Sequence, residues 1–95
     1  MKDYQILAER ALLLRDKSTG LTEVIRITLG TPFWIEEGIA AACPVSIIGL
    51  VGRVSDIEGI DFINAIQLSI SFVDDLLARL PSDKEVLWPD GEPYP

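Results

Sequence analysis

Three carboxylates that could do chemistry together stand within six residues of one another, at Asp56, Glu58 and Asp61. Acidic oxygens at this density could hold a hard cation such as Mg²⁺ or Ca²⁺. Their spacing lacks the alternating acids, central glycine and distal glutamate of a calcium loop. We therefore favour a simpler interpretation, in which Asp61 caps a helix and the other two carboxylates lie in solvent. A metal-binding or enzymatic site on these three residues is the alternative.

The chain offers few candidates for nucleophilic catalysis, because Cys43 is the only cysteine and there is no histidine. One cysteine excludes an intramolecular disulfide and agrees with a reducing compartment. Without histidine, the chain alone cannot build a His-dependent triad or an imidazole zinc site. Cys43 has apolar neighbours and no nearby base, so we expect an inert buried thiol. We expect no cofactor.

Two further motifs have structural explanations. The segment Gly49–Arg53 is rich in glycine, but it lacks the Lys-Ser/Thr ending of a phosphate loop and opens no helix. The Phe33-Trp34 pair is interpreted as a hydrophobic plug at a sheet edge, whereas an exposed Trp34 would favour a binding platform. Neither motif predicts catalysis.

The formal net charge is −7, and residues 48–95 hold nine acidic against three basic side chains. Such a surface repels a phosphate backbone, so we expect no nucleic-acid partner. A basic protein partner is the hypothesis that the charge favours. The predicted partner-binding residues are Asp74, Asp75, Asp56 and Glu58.

One long helix is predicted over residues 62–80, where apolar residues recur with the 3.6-residue period. Asp61 is placed to accept from the amide of Asn64, and Pro81 follows the last periodic leucine. The apolar face is too broad for contact along a single line, so the helix needs a sheet face beneath it. The part of this apolar face that the sheet leaves exposed could also be covered by a second chain.

The first half of the chain predicts a β-hairpin. Residues 22–30 alternate apolar and polar side chains, which is typical of a strand. Residues 4–15 favour helix by propensity, but the five-residue polar connection ending in Gly20 makes them more simply the partner strand. We therefore predict strands over 4–15 and 22–30.

Residues 41–51 are predicted as a third strand, with Pro44 at a sheet edge or a bulge. Residues 53–58 could return as a short fourth strand. The intervening residues 31–38 are predicted to be a loop.

The two ends of the chain bear on packing and on localisation. Residues 85–95 are predicted to be an extended tail whose apolar residues dock on the core. The N-terminus has Asp3 and Glu9 where a signal peptide needs a positive segment and an apolar run. The longest apolar tract is shorter than the roughly 18 residues of a spanning helix. We therefore expect a cytoplasmic protein that does not insert into a membrane.

Several segments together resemble a family of small bacterial proteins of unknown function. That family joins a C-P-hydrophobic-x-I-x-G-L strand to a helix that begins G-hydrophobic-D and continues A-L-Q-L-A. The similar segments are Cys43–Leu50, Ile57–Asp61, Ala65–Ile70, Ala8–Arg10, Leu29–Pro32 and Trp88–Glu92. The chain departs from the family pattern at residues 62–64, where a Ser and a Gln would be usual. The resemblance implies a strand over residues 4–15 and supplies no activity or site residues.

These observations predict a single domain of the α+β class over residues 1–95. We expect an antiparallel sheet of three or four strands with one long C-terminal helix packed on one face. The predicted function is non-enzymatic, an acidic accessory domain that binds a protein and could act as an immunity-like protein or an inhibitor. The alternatives are the small enzyme or metal-binding protein described above and a homodimeric structural module. Monomer and homodimer are both open.

Overall fold

Residues 5–94, which the computed structural model describes, form eight β-strands and one α-helix. The strands are β1 (Ile6–Asp16), β2 (Thr22–Gly30), β3 (Phe33–Glu36), β4 (Ala40–Cys43), β5 (Val45–Ile48), β6 (Gly52–Arg53), β7 (Ile57–Gly59) and β8 (Lys84–Leu87). The helix, α1 (Phe62–Ala78), lies between β7 and β8. Every strand pair in this range is antiparallel, which confirms the predicted α+β class.

The predicted single antiparallel sheet of three or four strands matches the structure only in part. Within residues 5–94 the strands form a five-stranded sheet in the order β6-β5-β2-β1-β8 and a three-stranded sheet in the order β3-β4-β7. The extra strands are two to four residues long, which is too short for an alternating pattern to identify them. β3 lies in the predicted loop 31–38. The helix is not the C-terminal element, because β8 follows it and pairs with β1.

β1 and β2 form the predicted hairpin in spite of the helix propensity of β1. Their pairing runs from Arg15 opposite Thr22 to Ile6 opposite Gly30, with one irregularity near Ile6. This long ladder outweighs local propensity, which is a weak term per residue. In the connecting turn, Gly20 has a φ of 78°, a left-handed conformation that favours glycine.

A few predicted positions lie outside the described residues. They are Tyr4, which is the predicted start of the first strand, and Pro95, which is the predicted end of the tail. The acidic N-terminal residue Asp3, on which the localisation argument partly depends, lies outside them as well.

Pro44 divides the predicted third strand. Residues 41–51 contain parts of β4 in the three-stranded sheet and all of β5 in the five-stranded sheet, with Pro44 between them. Proline has no backbone N–H, so it cannot continue a ladder, and its carbonyl instead accepts from the amide of Gly30 at 2.8 Å. The possible fourth strand at 53–58 is divided in the same way, between β6 and β7.

The start of α1 follows the predicted capping pattern. An Asp61 carboxylate oxygen accepts from the Asn64 amide at 2.8 Å, and the Asn64 side-chain oxygen accepts from the Ile60 amide at 2.9 Å. These two bonds satisfy backbone donors that have no partner within the helix. The helix ends at Ala78, two residues before the predicted end, because the residue before Pro81 is biased away from helical geometry.

The core lies between the helix and the sheets. Its helical members recur at a spacing of four residues, at Ala65, Ser69, Val73 and Leu77. The strands supply buried residues from β1, β2, β4 and β5, namely Leu12, Ile25, Ile27, Leu29, Ala41, Cys43, Val45 and Ile47. The hydroxyl of Ser69 donates to the carbonyl of Ala65 at 2.7 Å, so this polar group is satisfied inside the apolar core.

Candidate functional site

The three carboxylates at the strand-to-helix junction have separate roles. Asp56 forms an ion pair with Arg53, Asp61 caps α1, and Glu58 is exposed on β7. Among the residues that the structure describes, no three acidic or cysteine side chains converge on a point where they could hold a metal ion. The arrangement in this range corresponds to the capping interpretation.

Cys43 is fully buried in the core. Burial raises the pKa of its thiol, which disfavours the reactive thiolate. Its Sγ donates to the carbonyl of Gly30 at 3.5 Å. The geometry is that of a packing residue.

Asp74 and Asp75 do not share a surface, although they are adjacent in sequence. Consecutive residues of an α-helix point about 100° apart around its axis. Asp74 faces a cavity beside β1 and accepts from the hydroxyl of Tyr94 at 3.3 Å. Asp75 lines a different cavity, beside Leu50. The four acidic residues of the predicted partner-binding surface are therefore distributed over several places.

A group of large apolar side chains is exposed around the start of α1 and along β3. We call it the aromatic patch. Trp34 and Phe62 form its centre, and the other exposed apolar residues of the adjoining segments are Phe33, Ile35, Ile39, Ile60 and Ile63. The rings of Trp34 and Phe62 lie 4.7 Å apart, centroid to centroid, yet these side chains remain 39% and 36% exposed. Isolated exposed apolar residues are common, but a grouped set with aromatic members marks an interaction surface.

The aromatic patch exists because β3 is an edge strand. β3 pairs with β4 on one side and has no neighbour on the other among residues 5–94. All four of its residues are exposed. The pairing of Trp34 with Ala41, and of Ala41 with Gly59, brings the tryptophan to the end of the sheet where α1 starts. Sequence analysis assigned Phe33-Trp34 to a loop, and the exposed tryptophan now favours the alternative of a binding platform.

Acidic side chains accompany the aromatic patch. Glu36 and Glu37 follow its β3 members, Asp61 precedes Phe62, and Glu58 lies in the same cross-strand row as Phe33 and Ala42. None of the ion pairs within residues 5–94 involves Glu36, Glu37 or Glu58. The segments that carry the patch are thus acidic, with Glu58 on the Phe33 face of the sheet and not on the Trp34 face.

A second surface, which we call the edge groove, lies between α1 and the N-terminal part of β1. It is a cavity of about 180 Å³ lined by Ala8, Glu9, Arg10, Ile27, Leu29, Ile70, Val73, Asp74 and Tyr94. The guanidinium of Arg10 lies 5.2 Å from the ring centroid of Trp88 and 5.8 Å from that of Tyr94. No sequence pattern indicated this site, because Arg10 and Tyr94 are 84 residues apart.

No helix within residues 5–94 has the length and apolar character needed to cross a bilayer. Comparison of the chain with protein-family models, with curated proteins and with solved structures gives no match. The resemblance to a bacterial family therefore stays a prediction.

Proposed function

We propose that this protein is a non-enzymatic accessory domain of the bacterial cytoplasm that binds a basic protein through the aromatic patch. An immunity-like or inhibitor role is the concrete form of this proposal. The observation that carries it is the exposure of Trp34 and Phe62 in contact with each other, in the part of the chain where Glu36 and Glu37 follow β3. Neither glutamate forms an ion pair within residues 5–94.

The composition of the aromatic patch suits protein recognition. Tryptophan is enriched among the residues that dominate binding energy, and such residues lie at the apolar centre of an interface with a polar rim. The surrounding carboxylates would attract a positively charged partner and accelerate its association. The apolar centre would then supply most of the affinity, and the acidic surround would supply speed and selectivity.

The competing enzymatic hypothesis has less geometric support. Asp56, Glu58 and Asp61 are committed to an ion pair, an exposed strand position and a helix cap. A binding role needs no such convergence of side chains. The aromatic patch supplies a surface for it without further assumptions.

The test compares partners captured by the parent and by Trp34→Ala, followed by kinetics on the purified partner. We expect a basic protein that the variant no longer retains, with an affinity loss of about 2 kcal/mol or more. Val24→Ala is the matched control, because Val24 is exposed but lies outside the aromatic patch. Equal retention by the parent and Trp34→Ala would refute the proposed site.

A pair of double variants tests the role of charge. Glu36→Gln with Glu37→Gln removes two charges beside the aromatic patch, and Asp74→Asn with Asp75→Asn removes two charges elsewhere. We expect only the glutamate variant to slow association at 0.1 M salt, where the Debye length is about 10 Å, and the difference to vanish near 1 M. A larger effect of the aspartate variant would favour the surface predicted from sequence.

The oligomeric state tests the remaining alternative. If the aromatic patch is covered by a second copy of the chain, sedimentation equilibrium will show a dimer that Trp34→Ala converts to a monomer. That result would replace the basic partner with the homodimeric module. A monomeric parent supports the proposed partner.

A further inference from the structure

The edge groove presents backbone groups that have no strand beside them. β8 pairs with β1 only from Leu13 to Asp16, and no other strand of residues 5–94 covers the same side of β1 before Leu13. The Asp16 amide donates to the carbonyl of Leu21, on the β2 side of β1. Hydrogen-bonding direction alternates along a strand, so even-numbered residues of this part of β1 face β2. Glu9 and Ala11 therefore direct their backbone N–H and C=O groups to the open side. Such an edge can receive an additional strand.

Arg10 is held in place within the edge groove. Its Nη1 donates to the Tyr94 hydroxyl at 3.0 Å, and that hydroxyl in turn donates to Asp74 at 3.3 Å. The two aromatic rings beside the guanidinium restrict it further by cation–π attraction. A guanidinium has five N–H donors, and Arg10 forms no ion pair within residues 5–94. The remaining donors suit a carboxylate, which arginine binds through two parallel hydrogen bonds.

The open edge is closed at one end. β8 occupies the side of β1 from Leu13 onward, and the chain then turns across at Trp88. A strand added along Ile6 to Ala11 must therefore end or turn away next to Arg10. A segment that runs parallel to β1 would place its C-terminus at this point.

A second copy of the chain does not supply the carboxylate by pairing β1 with β1. Residues directly opposite in an antiparallel pair lie on the same face of the sheet. Beside Arg10, the helix-facing positions of β1 are the exposed Ala8 and the buried Leu12, which carry no charge. Asp16 lies on the same face of β1, but its carboxylate already forms an ion pair with Lys84. Pairing of β1 with a second β1 therefore leaves the free donors of Arg10 without a carboxylate.

We propose that the edge groove binds the extended C-terminal segment of another protein, which adds a strand to β1 and places its terminal carboxylate on Arg10. Apolar side chains of the segment would enter the cavity floored by Ile27 and Leu29. This site is separate from the aromatic patch and does not depend on the function proposed there.

The experiment uses random heptapeptides displayed with free C-termini and selected on the full chain. The best binder is then synthesised as the free acid and as the carboxamide. We expect the acid to bind at least about tenfold more tightly, and to shift the amide resonances of Glu9 and Ala11 and the Nε–H resonance of Arg10. Arg10→Gln should abolish the difference between acid and amide.

Controls separate this role from a structural one. Arg79→Gln has the same change in charge but lies at the far end of α1, so it should keep the preference for the acid. Arg10→Lys should keep the fold and part of the preference, and Trp34→Ala should keep all of it. The melting temperature of each variant checks that the tail still docks.

Several outcomes would overturn the inference. The free acid and the carboxamide could bind equally while the amide resonances of Glu9 and Ala11 still shift. In that case the edge accepts an added strand without recognising its terminal carboxylate. If only peptides displayed with free N-termini bind, Asp74 and not Arg10 is the anchor. If no peptide is enriched on the parent relative to Arg10→Gln, Arg10 serves only to hold Trp88 and Tyr94. None of these results bears on the aromatic patch.

Discussion

The two halves of β1 share one partner strand but differ in almost everything else. Leu13–Asp16 lies between β2 and β8, and Ile6–Leu12 has β2 on one side and no strand of residues 5–94 on the other. Ion pairs from Arg15 to Glu85 and from Asp16 to Lys84 fasten the enclosed half. The other half contributes Arg10 to the edge groove. The same strand is thus scaffold at one end and exposed surface at the other.

Two leucines of this strand differ widely in burial. Leu12 is 0% exposed and belongs to the core, whereas Leu7 is 50% exposed. Their chemistry and secondary structure are identical, so burial depends on which elements lie over each position. Within β1, an apolar side chain is therefore buried only where the helix or a neighbouring element covers it.

The largest contrast should appear in backbone hydrogen exchange. Amides of Leu13 and Arg15 face β8, whereas those of Glu9 and Ala11 face the open side. For Leu13 and Arg15 we expect a free energy of opening within a few kcal/mol of the free energy of global unfolding. Glu9 and Ala11 should exchange at nearly the rate of an unprotected amide. The measurement is exchange followed by NMR at neutral pH. Strong protection of Glu9 and Ala11 in the monomer would mean that the edge is already covered.

The two leucines provide the next largest effect. Leu12→Ala should reduce the free energy of unfolding by about 2 to 5 kcal/mol, because it leaves a cavity in the core. Leu7→Ala makes the same chemical change at an exposed position and should cost within about 0.5 kcal/mol. Urea denaturation of both variants checks this. Similar losses would show that the Leu7 and Leu12 positions are packed alike.

The smallest effect concerns pH and the enclosed half. Hydrogen bonds from Ser18 and from Lys84 lower the pKa of Asp16 well below its ordinary value of 3.8. A lowered folded-state pKa stabilises the fold above the unfolded-state pKa, and the contribution is lost as the pH falls through the folded value. We expect Asp16→Asn to melt below the parent at pH 7, and the difference to shrink from about pH 5 toward pH 2.

Asp75→Asn is the matched control for this prediction, because it makes the same change in charge on α1. Its melting temperature should follow that of the parent across the same pH range. A constant difference between Asp16→Asn and the parent at all pH values would assign the effect to packing and not to ionisation.

Local patterns in the sequence determined the helix, its cap and the hairpin. The period of residues 62–80, the Asp61 cap and the turn at Gly20 depend on contacts within a few positions. The burial of Cys43 also follows from its apolar surroundings. Signals of this kind are readable because the energies involved are set by near neighbours in the chain.

Tertiary structure alone decided the sheets and both surfaces. Pro44 could end a strand or bulge it, and only the packing of two sheets assigned β4 and β5 to different ones. Whether Trp34 was plug or platform depended on the absence of a neighbour beside β3 within residues 5–94. Arg10 meets Tyr94 because β8 returns to β1 across most of the chain. Contacts between residues so far apart in sequence leave no local pattern, since their energy exists only after the chain has closed on itself.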